Sequence, residues 1–137
     1  MKATNKGFSL IEVLVSMTIF SVGVLGLLGM YGRTVTNYSD AKYRTDAAML
    51  ADALISDIWI NRANATLYDN TSSGTGNTTL TKWLAAVNAA LPNGTATVTV
   101  TPIAGTTGVT VKVALGWTPP ETTTAHQHVE FANIQNP

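Results

Sequence analysis

Hydrophobic positions along this chain change their spacing from stretch to stretch, and each spacing predicts a different element. From Phe8 to Gly32 most positions are apolar, and Glu12 is the only charge between Lys6 and Arg33. At about 1.5 Å per residue a helix over this stretch covers about 37 Å, enough for a hydrocarbon core of about 30 Å. It contains no proline and no long polar break, so a membrane-spanning helix is expected over 8–32. From Thr34 to about Asn61 the apolar residues thin out to helical spacing, at Val35, Tyr38, Ala47, Leu50, Ala51, Leu54, Ile55 and Ile58. One long helix is therefore expected from Phe8 to about Arg62, with residues 33–62 as its amphipathic second half and 63–137 as a globular head. Asp40/Arg44 and Lys42/Asp46 are i,i+4 pairs of opposite charge, each contributing a few tenths of a kcal/mol on a solvated face.

Ala63 to Thr79 is rich in Asn, Thr, Ser and Gly and reads as a loop. Leu80, Trp83, Leu84, Val87 and Leu91 return to helical spacing and are closed by Pro92-Asn93-Gly94. Trp83 is expected as a core anchor of that helix. Thr95–Thr101 then alternates strictly, with Ala96, Val98 and Val100 on one face. Ile103–Gly108 reverses the chain, and Val109, Val111, Val113, Leu115 and Trp117 repeat the alternation. This predicts an antiparallel hairpin whose face of Val98, Val100, Val111 and Val113 packs on Leu84 and Val87. Pro119-Pro120 ends it, and a further strand is expected around His126–Ile134 through Val129 and Phe131. The fold class is α+β, a long N-terminal helix on a small antiparallel sheet.

Composition narrows the function. The 137 residues leave room for one small domain beyond the span. The formal charge is zero, and setting aside Lys2 and Lys6 in the first seven residues leaves 0 − 2 = −2. Beyond Arg62 only Lys82 and Lys112 are cationic, so nucleic acid is not an expected partner and DNA uptake is disfavoured. Cysteine is absent, which removes disulfides and thiolate chemistry. His126, His128 and Glu130 would share one strand face, but a fourth ligand is not evident, and polar surface is the expected reading rather than a metal site. Neither a Ser/His/Asp arrangement nor paired carboxylates stand out, so neither an enzyme nor a cofactor is expected. Asn64, Asn70, Asn77 and Asn93 head N-x-[ST] triplets, read as chance in a threonine-rich chain rather than as glycosylation sites. Lys2 and Lys6 ahead of the span place the N-terminus in the cytoplasm by the positive-inside rule.

Glu12 does not suit an ordinary anchor. A carboxylate at a span's centre costs about 2.5–3.5 kcal/mol, and less towards its end. Two readings stand: a side chain reaching back to the interface, or a charge that the protein uses. The residues around it run Lys6-Gly7-Phe8-Ser9-Leu10-Ile11-Glu12-Val13-Leu14-Val15. This run closely resembles the class III signal of type IV pilins and pseudopilins, in which a basic leader ends in Gly and a Glu follows at the fifth mature position. A secretory signal peptide fits less well, since its apolar region normally lacks a carboxylate and Leu27-Leu28-Gly29-Met30-Tyr31 offers no A-x-A site. The resemblance implies that residues 1–7 are a leader, that prepilin peptidase cuts after Gly7, and that the new amine of Phe8 is methylated. It assigns 8–32 to membrane insertion and polymerisation, and Glu12 to subunit assembly. The amine formed at Phe8 has a reference pKa of about 7.7–8.0. In a filament of staggered helices one subunit's amine can reach another's Glu12, and each charge would otherwise stand unpaired among apolar side chains. Phe8 and Glu12 are also i,i+4, so a pair within one chain competes.

The segment W-L-A-A-V-N-A-A-L-P-N-G-T-A-T-V-T-V, followed by V-T-V-K-V-A-L-G-W, looks like minor pilins of the type IV pilus modification protein V group. These are related to the I-type minor pseudopilins of type II secretion. The resemblance implies a pilin-like fold and a low-abundance subunit of a priming complex, held in the inner membrane by one helix and later found at or near the filament tip. Its implied partners are other minor pilins, the major pilin, the inner-membrane assembly platform and, before assembly, membrane lipid. A part in adhesion or twitching motility belongs to the same expectation. This chain departs from the family in lacking a stapling disulfide and in carrying Gly23, Gly26, Gly29 and Gly32 where major pilins often have a proline. Those glycines suit either close helix packing or local loosening of the helix in the filament. The alternatives are an I-type minor pseudopilin of a type II secretion system and, outside the family, a single-pass membrane-anchored protein with a periplasmic binding domain.

Overall fold

A computed structural model describes residues 9–71, 77–120 and 122–135. Helix α1 spans Leu10–Ile60, and a 3₁₀ helix follows at Arg62–Tyr68. Helix α2 covers Thr78–Ala90, and strands β1 (Thr95–Pro102), β2 (Val109–Trp117) and β3 (His126–Ile134) complete the order. The strands form one antiparallel sheet in the order β1-β2-β3. The α+β expectation holds, with one long helix and a small antiparallel sheet. The chain divides into two compact units, Met1–Tyr38 and Ser39–Pro137.

The core lies in the second unit. Ala47, Ala51, Leu54 and Ile58 of α1 join Leu80, Trp83 and Val87 of α2 and Val98, Val111, Val113 and Leu115 of the sheet in one hydrophobic cluster. Complete burial of each large aliphatic contributes about 1.5–3 kcal/mol. The hairpin register pairs Val98 with Val113 and Val100 with Val111, so the alternating valines share a face as their spacing requires. Gly105 takes φ +76 in the reversing turn, where a side chain would be strained. Asn77 caps α2, its side chain accepting from the N–H groups of Thr79 (2.9 Å) and Leu80 (3.4 Å). Trp83 is buried and its indole N–H donates to the Leu50 carbonyl at 2.8 Å, fastening α2 to α1.

Several local expectations change. The stretch after α1 is not all loop, because Arg62–Tyr68 is helical and buries Ala65 and Tyr68. Tyr68 is 1% exposed and its hydroxyl donates to the Asp57 carboxylate at 2.5 Å. One aromatic anchor thus orders a segment that polar composition alone marks as irregular. Strand β3 exists, but Val129 and Phe131 do not face the core. The register places His126, His128, Glu130, Ala132 and Ile134 opposite the inward residues of β2, leaving Val129 and Phe131 exposed on the other face. His126, His128 and Glu130 are therefore partly buried on the inner face rather than plain polar surface. Finally, Val35 and Tyr38 are exposed. Burial along α1 begins with Tyr43 and Ala47, beyond the point where the second unit starts.

Candidate functional site

The candidate site is the N-terminal part of α1. Gly7 and Phe8, the expected cleavage and methylation positions, lie outside the described residues. Glu12 lies in the first turn of α1, where its N–H donates to the Ser9 carbonyl at 3.0 Å. A carboxylate there is favoured by the positive end of the helix dipole. Glu12 borders a shallow hollow on the helix surface with Val13, Ser16, Met17 and Phe20. Its surroundings are apolar, and no ion pair to it occurs among the described residues.

The helix around Glu12 suits a membrane. It is the one helix among the described residues long and apolar enough to cross a bilayer, and none of its apolar window is buried by the rest of the chain. Three of its hydroxyls are satisfied internally. Ser16 donates to the Glu12 carbonyl at 2.7 Å, Thr18 to Leu14 at 2.5 Å and Ser21 to Met17 at 2.8 Å. Each hydroxyl returns to the carbonyl four residues back, so its donor needs neither water nor a neighbouring helix. Sequence reasoning passed over these residues, although Ser and Thr inside an apolar run were the available signal. Among the described residues the Glu12 carboxylate has no such internal bond, in contrast to Ser16, Thr18 and Ser21. The helix is continuous through Gly23, Gly26, Gly29 and Gly32. A Cβ added at any of them would meet nothing within 4 Å, so nothing in the single chain's packing requires glycine there.

The other chemistry-bearing residues meet near the start of the second unit. His126 stacks on Trp117, with ring centroids 5.7 Å apart. Its Nδ1 is 3.5 Å from an Arg44 nitrogen and its Nε2 is 3.5 Å from Asp40 Oδ1. Arg44 and Asp40 approach to 3.4 Å, and Lys42 and Asp46 to 3.3 Å, the i,i+4 pairs expected from the sequence. His128 Nε2 is 3.6 Å from Glu130 Oε2. No group of three or more His, Cys, Asp or Glu among the described residues suits a metal ion. The N-x-[ST] asparagines make local contacts. Asn77 caps α2, Asn70 bonds to β1 through both side-chain atoms, Asn64 donates to Asn61, and Asn93 donates to the Thr118 carbonyl.

Residues 2–28 match the family model described as the prokaryotic N-terminal methylation motif. The match spans the basic leader, Gly7, Phe8, Glu12 and most of the apolar run, and supports a type IV pilin-like or pseudopilin protein anchored in a membrane. It does not reach the head. No curated protein and no solved structure matches the chain.

Proposed function

We propose that this chain is a minor pilin of a type IV pilus, which helps to prime pilus assembly and takes a place at or near the filament tip. The observation that carries the reading is Glu12. It is a carboxylate in the first turn of an exposed apolar helix, inside the methylation motif, where the hydroxyls of Ser16, Thr18 and Ser21 have internal partners and Glu12 has no ion-pair partner among the described residues. Such a group is costly in a bilayer unless a positive partner arrives. The amine freed at Phe8 of a neighbouring subunit is a partner of the right charge. On this reading prepilin peptidase removes 1–7, the chain waits in the inner membrane with its N-terminus cytoplasmic, and other minor pilins and the major pilin then receive it from the assembly platform. The role is one of assembly rather than catalysis.

Mass spectrometry of the mature N-terminus tests the first step, with a chain beginning at methylated Phe8 expected. A product keeping Met1–Gly7 in a host with active prepilin peptidase would overturn the reading. Gly7→Val should block the cut, because the peptidase must accommodate a small residue there.

A further inference from the structure

The sheet has two edges, and the chain treats them differently. Along β1, Asp69 and Asn70 act as a short substitute strand. The Val98 N–H donates to Asn70 Oδ1 at 2.7 Å and the Val100 N–H to Asp69 Oδ2 at 2.8 Å. The Asn70 N–H donates to the Val98 carbonyl at 3.1 Å, and its side-chain amide to the Ala96 carbonyl at 3.1 Å. The outward backbone groups of the middle of β1 are thereby sealed. Strand β3 forms the other edge.

Parity shows which groups β3 leaves open. Ala96, Val98 and Val100 turn their backbone groups away from β2, so their partners Leu115, Val113 and Val111 turn theirs towards β3. These bond to His128, Glu130 and Ala132. The N–H and C=O groups of Gln127, Val129, Phe131 and Asn133 must then point away from β2, and no described residue bonds to them. Val129 and Phe131 also carry the exposed apolar side chains of the outer face, at 38% and 65%. On the inner face the same edge presents Glu130 beside His128, both about one-third exposed.

We propose that the β3 edge is a docking strip for an extended segment of a different pilin-type subunit. That segment adds a strand to the sheet, with an apolar side chain beside Val129 and Phe131 and a basic one beside Glu130. This rests on the subunit role proposed above and names the surface through which it is exercised. Main-chain bonds to Val129 and Phe131 supply affinity, and the alternating side chains supply selectivity. The inward charge of Glu130 discourages indiscriminate strand pairing and selects a partner of complementary charge. A second copy fits poorly in either mode. A head-to-tail row would need the sealed β1 edge, and a two-fold pairing of β3 with itself reverses the direction of the two subunits, whereas subunits of one filament point the same way. With its β1 edge sealed, the chain can end a row of sheet-paired subunits but cannot continue it.

The test uses the full chain in cells that assemble pili, with a photo-crosslinking residue at Gln127, at Thr97 on β1, or at Val24 in α1. The expected result is an adduct from Gln127 whose partner, by mass spectrometry, is another subunit with a methylated N-terminus, and none from Thr97. Val129→Pro removes an outward N–H without touching the β2–β3 ladder, and should lower the Gln127 adduct at least about tenfold, as should Phe131→Glu. A Gln127 adduct between two copies of this chain overturns the proposal, as does one that survives Val129→Pro or an equal adduct at Thr97. Adducts at Val24 with none at Gln127 would reject edge docking while leaving the subunit role intact, whereas loss of both would reject the subunit role itself.

Discussion

The two stretches of α1 on either side of Tyr38 are equally helical, yet their side chains meet different surroundings. From Leu10 to Tyr38 the large apolar residues are exposed, Leu10 at 79% and Phe20 at 72%. From Ser39 to Ile60 a stripe of Ala47, Ala51, Leu54 and Ile58 is at most 1% exposed. The first stretch is apolar all round, as a membrane-spanning segment is, and its described apolar side chains are exposed. The second stretch is apolar on one side and finds its surroundings within its own chain. One helix thus joins a segment whose apolar side chains stay exposed to a segment that packs into the core of its own chain, and substitutions should separate the two.

The largest effect should come from breaking the self-supplied core. Val111 is fully buried, and Val111→Asp places an unpaired carboxylate there at a cost of several kcal/mol. The head of the detergent-solubilised full chain should lose its cooperative melt, while membrane insertion stays at the wild-type level. An unchanged melt would show that the β2 register is wrong.

Glu12→Ala should do the reverse. Insertion and cleavage after Gly7 should persist and the head should melt as before, but recovery in sheared filaments at equal membrane levels should fall at least about tenfold, the scale of a lost buried charge pair. Glu12→Gln should rescue little, because it keeps the shape and removes the charge. Wild-type incorporation of both variants would reduce Glu12 to a side chain reaching for the interface.

Smaller substitutions sharpen the boundary. Ala51→Leu should cost about 1–3 kcal/mol by overpacking, seen as a lower melting temperature of the full chain. Gly26→Ala should leave that melt unchanged, since a Cβ there meets nothing within 4 Å; any loss of filament incorporation would then report contact between subunits. Smallest of all, Arg44→Ala removes a largely exposed ion pair with Asp40 and should change stability by less than about 1 kcal/mol. A greater loss would mean that the His126 contact carries much of the attachment of β3 to α1.

The local patterns were legible in the residues themselves. Predominant apolarity from Phe8 to Gly32, helical spacing in the second half of α1 and around Trp83, and strict alternation at Val98–Val100 and Val109–Trp117 are each local properties of the chain. The methylation motif at 2–28 was equally legible, because it is contiguous. Long-range pairing decided the rest. Which face of β3 turns inward depends on its register with β2, and a shift of one residue would have exchanged Val129 and Phe131 for His128 and Glu130. Tyr68 reads as a loop residue until Asp57 is brought within 2.5 Å of its hydroxyl. Asp69 and Asn70 have the composition of a turn, and only their contact with Val98 and Val100 makes them the seal on one edge of the sheet. Those roles join residues far apart in sequence, where no local period can announce which polar group will find which partner.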